Sequence, residues 1–433
     1  MARVKMIKKS LLALLILLAS NNAWAFRPFE KGPNVRGFIE NASGFRTSSH
    51  TTKRDHYNIM EQRLQLKASH RAKGETLLKD WHTELNFKGD FLVDEYFGGK
   101  TAFDLRELNA LFTPLKIIDV KVGRQILTWG TGDYIFINDM FPKDYISFYT
   151  GRDDEYLKKP SDAIRLSLYP KLANVDIAII PFFQPNTMPD GDRLSFFDSF
   201  NRGITGRGVE RLLLEPANQA ENIETALRLY RNFKSYECAL YFFRGFDKAP
   251  RSYKNEALRQ LYYERLDVYG ASVRGPFSGG IGNLEIGYYN SRDDSDGTNR
   301  LIENSFFKGL LGYEKDMGSD LKIAFQYFYE QRLNYSDYKD ALLAGDFFWD
   351  EHRHLVTNRI TKLLTNQTLS LSLFTFYSPS DEDVYIRPLL SYDMTDDWKF
   401  TMGANLAWGE QDITEFGQME ENKNIYFRLR CSF

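Results

Sequence analysis

The feature that most constrains this chain is a period-two alternation of apolar and polar residues, which returns along the sequence about eighteen times. In "WHTELNFKGDF", residues 81–91, Trp81, Thr83, Leu85 and Phe87 share one parity, and His82, Glu84, Asn86, Lys88 and Asp90 share the other. Strand side chains point to opposite faces in turn, so one face of such a run is apolar and the other wet. A soluble sandwich could use one such strand. What the full set builds depends on how the copies are joined.

Strand character recurs near 34–46, 57–70, 80–92, 103–113, 116–127, 161–169, 173–183, 221–233, 235–246, 265–275, 280–291, 304–314, 320–331, 351–363, 368–377, 383–393, 398–408 and 423–433. Short links such as "TPLK", "NFKS", "GPFSGG" and "DMTDDW" alternate with long ones at 128–160, 184–220, 247–264, 332–350 and 409–422. A large secreted sandwich, the competing soluble reading, has no reason to place its long loops at one end. Strands that run up and down through a membrane do: tight turns face the periplasm and long loops face out. The expected fold is therefore all-β, a transmembrane antiparallel β-barrel of about 16–18 strands. The sixteen-strand limit applies if a pair of segments of mixed parity, such as 103–113 and 351–363, is loop.

A mean hydropathy of −0.44 does not oppose this. Strands that alternate lipid-facing and lumen-facing residues average to a polar sequence, and each needs only about 9–11 residues to cross. Trp398, Phe400, Met402, Ala404, Leu406 and Trp408 form one apolar stripe with aromatics at both ends, as interfacial girdles require. Aromatic residues make up 15% of the chain, enough for two girdles and aromatic loops besides. The N-terminal "MARVKMIKKSLLALLILLASNNAWAF" has a basic start, a short apolar run and a small-x-small site at Ala25, the layout of a cleaved secretory signal over residues 1–25. Residues 26–433 then form a single barrel domain.

The last strand, "NIYFRLRCSF", closes on an aromatic residue and resembles the assembly signal of Gram-negative outer-membrane β-barrels, with Phe433 at the matching position. That resemblance implies the cell outer membrane as the location. Its lipid and lipopolysaccharide would be the surroundings, and the barrel assembly machinery a partner acting through Phe433. The stretch 122–166 is similar to the "GRQ…WG…D…FP.D" region of porin-like outer-membrane proteins, and loosely to the alginate-export porin group; the matching positions are Gly123, Arg124, Gln125, Trp129, Gly130, Asp139, Pro142 and Asp144. "RHLVTNRITKLL" and "FGQMEENKNIYFRLRCSF" look like the same set. Some of its members accompany RND-type transporters, which the resemblance makes a partner to consider.

Parity assigns Arg63, Lys67, Glu84, Lys88, Arg165, Glu224, Arg228, Arg387, Arg428 and Arg430 to the lumen, a mixed wall rich in arginine that can orient polar or anionic solutes. Arg124 shares the lipid-facing parity of Val120 and Val122. It is a lumen candidate only if Gly123 makes a bulge, because a mid-membrane arginine costs roughly 2–4 kcal/mol. The loop 128–160 carries Trp129, Tyr134, Phe136, Phe141, Tyr145, Phe148, Tyr149 and Tyr156, with Asp133, Asp139, Asp144, Asp153, Asp154 and Glu155 set against Arg152 and three lysines. Those rings should not stay in water; folding inward to constrict the lumen, or packing over the mouth, would cover them.

A net charge of −2 does not suit a nucleic-acid binder. No Ser–His pair with an orienting group is evident, so no enzyme is expected, and neither is a cofactor. His352 and His354 share a strand face at a spacing a metal could use, yet read more simply as rim side chains, so no metal is assigned; His82 is the third wall histidine. "RGITGRGVER", 202–211, lacks the strand–turn–helix setting of a phosphate cradle and reads as an exposed basic loop able to meet lipopolysaccharide phosphates. Cys238 and Cys431 lie on strands far apart in such a barrel and are expected as two free thiols. The functional expectation is a passive channel for a polar or amphipathic solute. The alternative is a non-conducting barrel acting as scaffold, receptor or outer-membrane partner of an exporter.

Overall fold

The computed structural model describes residues 33–47, 56–71, 82–209 and 211–433. The expected signal at 1–25 and the start of the opening stretch, Trp81, lie outside them. A single 18-stranded sheet closes on itself. Its strands are β1 (Asn34–Arg46), β2 (Tyr57–Arg71), β3 (Glu84–Asp94), β4 (Lys100–Leu115), β5 (Ile118–Ile126), β6 (Pro160–Leu168), β7 (Asn174–Ile180), β8 (Glu224–Phe233) and β9 (Tyr236–Phe246). They continue as β10 (Arg265–Phe277), β11 (Gly280–Ser291), β12 (Phe306–Asp316), β13 (Leu321–Arg332), β14 (His352–Leu364), β15 (Leu369–Ser378), β16 (Asp383–Asp393), β17 (Trp398–Gly409) and β18 (Asn424–Ser432).

Each strand pairs antiparallel with the next, and β18 pairs with β1, with Asn41 opposite Leu429 and Arg46 opposite Asn424. Phe433 extends the seam: its N–H donates to Gly37 O at 2.9 Å, and its carbonyl accepts from Gly37 N–H at 3.0 Å. Among the described residues the 18-stranded sheet therefore has no edge strand left to recruit another chain. Both segments of mixed parity are strands, so the count is the upper of the two expected.

The turns explain the register. Between β10 and β11 only Ser278 and Gly279 intervene, with φ of 47° and 76°, the paired positive values of a two-residue hairpin whose twist suits the flanking strands. The long loops gather at the opposite rim. They hold short strand pairs, Phe196–Asp198 with Gly203–Thr205 and Ser252–Asn255 with Gln260–Tyr262, and the helix Tyr335–Ala341.

The alternation sorts as expected on most strands. Leu85, Phe91 and Leu240 are at least half exposed on the outer face, whereas Ala239, Tyr241 and Phe243 are buried inward. Cys238 and Cys431 are both free thiols. The apolar core lies inside the barrel, where Leu127, Ile137, Phe141, Phe148 and Leu157 pack against inward residues of the wall such as Val268, Leu310, Phe328, Leu355, Phe376 and Tyr385.

Candidate functional site

The connection from β5 to β6, residues 127–159, turns into the lumen. A short helix, α1 (Tyr145–Thr150), organises its centre. Asp144 caps it, accepting from Ser147 N–H at 2.9 Å, and Gly151 ends it with φ 84°. A side chain at Gly151 would strike the Tyr426 ring of β18, so glycine serves both the left-handed cap and the close approach.

The first arm of the loop, up to Pro142, is fastened mainly by apolar contacts and by one buried acid. Glu285 of β11 accepts from Thr131 N–H (2.6 Å), Thr131 Oγ1 (2.8 Å), Asn138 N–H (2.8 Å) and Asn138 Nδ2 (3.0 Å). Tyr289 donates to Ile137 O nearby, and Trp129 packs edge-on against Phe141 at 5.1 Å. Asp133 reaches Arg359 of β14 at 2.7 Å, while the Tyr134 ring meets Phe374 at 4.8 Å. Burial outweighs the Arg359 charge at Asp133 and holds its carboxyl above the usual range.

The second arm, 151–158, is fastened by ions. Arg152 and Arg193 both bind Glu61 of β2, which also meets Arg63. Asp153 lies 3.0 Å from both Arg428 and Arg430 of β18, Asp154 3.0 Å from Arg387 of β16, and Glu155 2.6 Å from Lys88 of β3. Tyr156 lies under the Arg63 guanidinium at 4.0 Å. Burial by itself would raise the Asp153 and Glu155 carboxyls. The Arg428 and Arg430 charges at the first, and Lys88 at the second, outweigh it and hold both below the usual range.

The loop thus spans the lumen from its own strands to β2, β3, β11 and β13–β18, and water-exposed regions lie on either side of it. On the long-loop side a vestibule of ≈ 760 Å³ is lined by Tyr145, Tyr149, Arg251, Arg332, Arg353 and Trp349 among others. On the short-turn side Lys67, Lys121, Arg165 and Arg228 face the lumen, with Arg228 bound to Glu237 at 2.7 Å.

Of the residues expected from sequence, Arg63, Lys88, Arg387, Arg428 and Arg430 meet the loop as described. Asp133, Asp153 and Asp154 are its contacts with the far wall, and Arg152 reaches Glu61 of β2. Asp139 and Asp144 instead work within the loop, Asp139 holding Lys143 at 2.9 Å and Thr128 at 2.8 Å, while the Trp129 ring packs both on Phe141 of the loop and on Tyr241 of β9, at 6.3 Å. Glu84 is not drawn into the site; it pairs with Arg71 at the short-turn rim at 3.1 Å. Glu224 sits at the opposite rim, buried, with its carboxylate 2.5 Å from Lys248.

Arg124 is a correction. It keeps its outward parity, opposite Leu108, which is 55% exposed, and opposite Asp162, its ion-pair partner at 3.1 Å. Gly123 has φ 116°, yet the register with β6 runs through it without a shift. The bulge is on β4 instead, at Arg106: Lys88 faces Glu107 and Gly89 faces Leu105. The Leu105 carbonyl beside that bulge accepts from Arg124 Nε at 2.6 Å. Near the end of β5 and paired, an outward arginine costs only about 0–1 kcal/mol.

Sequence reasoning missed Arg106, Arg359, Glu61 and Glu285. Arg106 donates to Glu155 O at 3.0 Å and Lys158 O at 2.7 Å. One signal was available for Glu285: a lone acid on the lumenal parity of "NLEIGYYN" needs donors from somewhere. His352 and His354 lie on the outer face, hydrogen-bonded through Nδ1 to Tyr329 (2.9 Å) and Tyr327 (2.7 Å). His82 lies in the turn before β3. In 202–211, Arg202 donates to Gly345 O and Arg211 covers the Phe196 ring at 3.9 Å, so part of that basic run folds onto neighbouring loops.

No protein-family model matches the chain, and no curated protein matches it. Among solved structures it is similar to Pseudomonas aeruginosa OccD3 (OpdP), with a TM-score of 0.54, 10% identity, and 93% of this chain and 91% of that chain covered. Acinetobacter baumannii OccAB4 is similar at TM-score 0.54 and 10% identity, over 92% of this chain and 97% of that one. The fold is that of an outer-membrane porin barrel. At this identity the likeness speaks for the fold, and function rests on the site.

Proposed function

We propose that this chain is an outer-membrane channel through which a polar or amphipathic solute passes without covalent chemistry, with residues 127–159 setting the constriction. The observation that carries the reading is the loop's charge arrangement. Three aspartates, Asp133, Asp153 and Asp154, are carried across the lumen to four arginines on three strands of the far wall, β14, β16 and β18. Ion pairs between a loop and a wall can exchange partners with a charged solute more readily than an apolar seal can open, which suits selective passage. The porin-type neighbours support a barrel that conducts.

The outer membrane of a Gram-negative cell is the compartment this reading requires, with the short-turn rim periplasmic. Phe433, at the closing seam, is where the assembly machinery would read the chain. The alginate-export likeness, and the RND-type transporter that the porin-like resemblance suggested, are carried by neither structural neighbour, and passive passage needs no such partner.

The test is single-channel recording of the refolded protein in a planar bilayer. Steady conductance from the protein alone is expected. Persistent absence of conductance, with folding shown by resistance to detergent at room temperature, would reject the channel in favour of a scaffold or exporter partner.

A further inference from the structure

The outer face of β9, β10 and β11 carries an ordered pair of rows. Phe242, Tyr269 and Tyr288 form the lower row, with ring centroids 5.2 and 6.4 Å apart, and the two tyrosines are more than 40% exposed. Two residues further toward the long-loop rim, Arg244 stands opposite Asp267, and Asp267 opposite Asn290. Two residues of strand is roughly 7 Å. Arg265 and Arg292 complete this upper level, just beyond the ends of Asp267 and Asn290.

Aromatic rows on the outside of such barrels mark the boundary between hydrocarbon and headgroups. The arginines therefore lie at the depth of the headgroups themselves. Arg244 binds Asp267 through Nε (2.9 Å) and Nη2 (2.8 Å), Arg292 approaches the same carboxylate at 3.9 Å, and Arg265 binds Asp293 at 2.9 Å. Three guanidiniums face two carboxylates, which leaves one positive charge. The side chains of Arg244 and Arg265 are 54% and 58% exposed, with donors still turned to the surroundings. By contrast the Arg124–Asp162 pair on the same outer face is balanced one to one.

We propose that this outward arginine group binds a phosphate of lipid A, the phosphorylated glycolipid of the outer leaflet, with its acyl chains lying along the Phe242–Tyr269–Tyr288 row. The proposal rests on the outer-membrane reading above. The two carboxylates hold the guanidiniums in place, and the spare charge and free N–H groups go to the phosphate. Planar forks of this kind match phosphate geometry.

Native mass spectrometry of the refolded full chain in detergent tests it, with bis-phosphorylated lipid A and its dephosphorylated form as probes. The phosphorylated lipid should be retained at least roughly tenfold better, an advantage largely removed by R244Q/R265Q/R292Q. R292Q alone should lower it by a few fold, and R231Q, on the outer face at the opposite rim, should leave it unchanged. Equal retention of the two lipids would overturn the proposal, as would a folded triple variant that still prefers the phosphorylated form. Displacement of the lipid by inorganic phosphate at matching concentration would show a simple anion site and overturn the lipid assignment. Conductance recorded on the same preparations keeps the two readings apart: a silent barrel that still selects phosphorylated lipid fails only the channel, and a conducting one without selection fails only this site.

Discussion

The two arms of the loop 127–159 are held against the same wall by opposite means. The first arm lies in an apolar bed, with Ile137, Phe141 and the buried Glu285 as its fastenings, and there burial prevails over charge: the Asp133 carboxyl is held up even though Arg359 is beside it. The second arm lies among arginines, and there charge prevails over burial: Asp153 and Glu155 are held down. The first arm should behave as the firmer seat and the second as the part that responds to salt and solute, while pH should act on the two in opposite directions.

Substitutions can break or sharpen that contrast. Phe148 sits where the arms meet, against Tyr134, Tyr149, Phe376 and Tyr385, with Arg387 over its face at 4.3 Å. Phe148→Ala should weaken docking of both arms by about 3–5 kcal/mol and expose the loop to limited proteolysis while the barrel stays intact. Glu285→Gln loosens the first arm alone, because a neutral amide cannot accept from four donors as a carboxylate does; about 2 kcal/mol is expected. Cleavage should then begin between residues 130 and 140 and spare 151–158.

Asp153→Asn should act on the second arm, at about 1–2 kcal/mol, leaving Arg428 and Arg430 without their shared partner. Reversal potentials in asymmetric salt should move toward anion preference. Lower pH should do the same to the wild-type chain. Because Asp153 and Glu155 titrate below their ordinary values of 3.8 and 4.5, their contribution is present above those values and is lost as pH falls through the lower folded ones. Asp133, shifted the other way, loses its contribution as pH rises toward its folded value, so the two arms should loosen at opposite ends of a pH series read by loop proteolysis. The smallest effect belongs outside the lumen: Arg124→Leu should change thermal stability by less than about 1 kcal/mol, whereas a lumenal arginine of the second arm would cost more.

The wall was legible because its outer face has one solvent. Leu85, Phe91 and Leu240 meet lipid at every turn of the pattern, so the alternation places β3 and β9 without knowledge of anything else. The inner face has two solvents, water and the loop, and the loop is apolar. Where Leu310, Phe328 and Leu355 face it, both parities are apolar, as in the neighbouring Leu310 and Leu311 of β12, one buried and one 58% exposed. That is why β14 read as mixed and why Arg359 escaped notice. On β4 the parity breaks at Arg106 because one extra residue is looped out, and the signal attributed to Gly123 belonged to that neighbouring strand. The loop's aromatics announced that it folds; which acid would hold it could be known only once β11 and the loop were seen together.

The account turns on whether residues 127–159 limit passage. The direct measurement is single-channel conductance of the intact chain against a chain lacking residues 134–156, which removes α1 and the acids of the second arm while leaving Asp133 and every barrel strand in place. The account predicts a conductance several-fold larger without the loop segment, together with loss of the pH response. Equal conductance and equal ion selectivity from the two chains would contradict it, and would place the path elsewhere in the barrel.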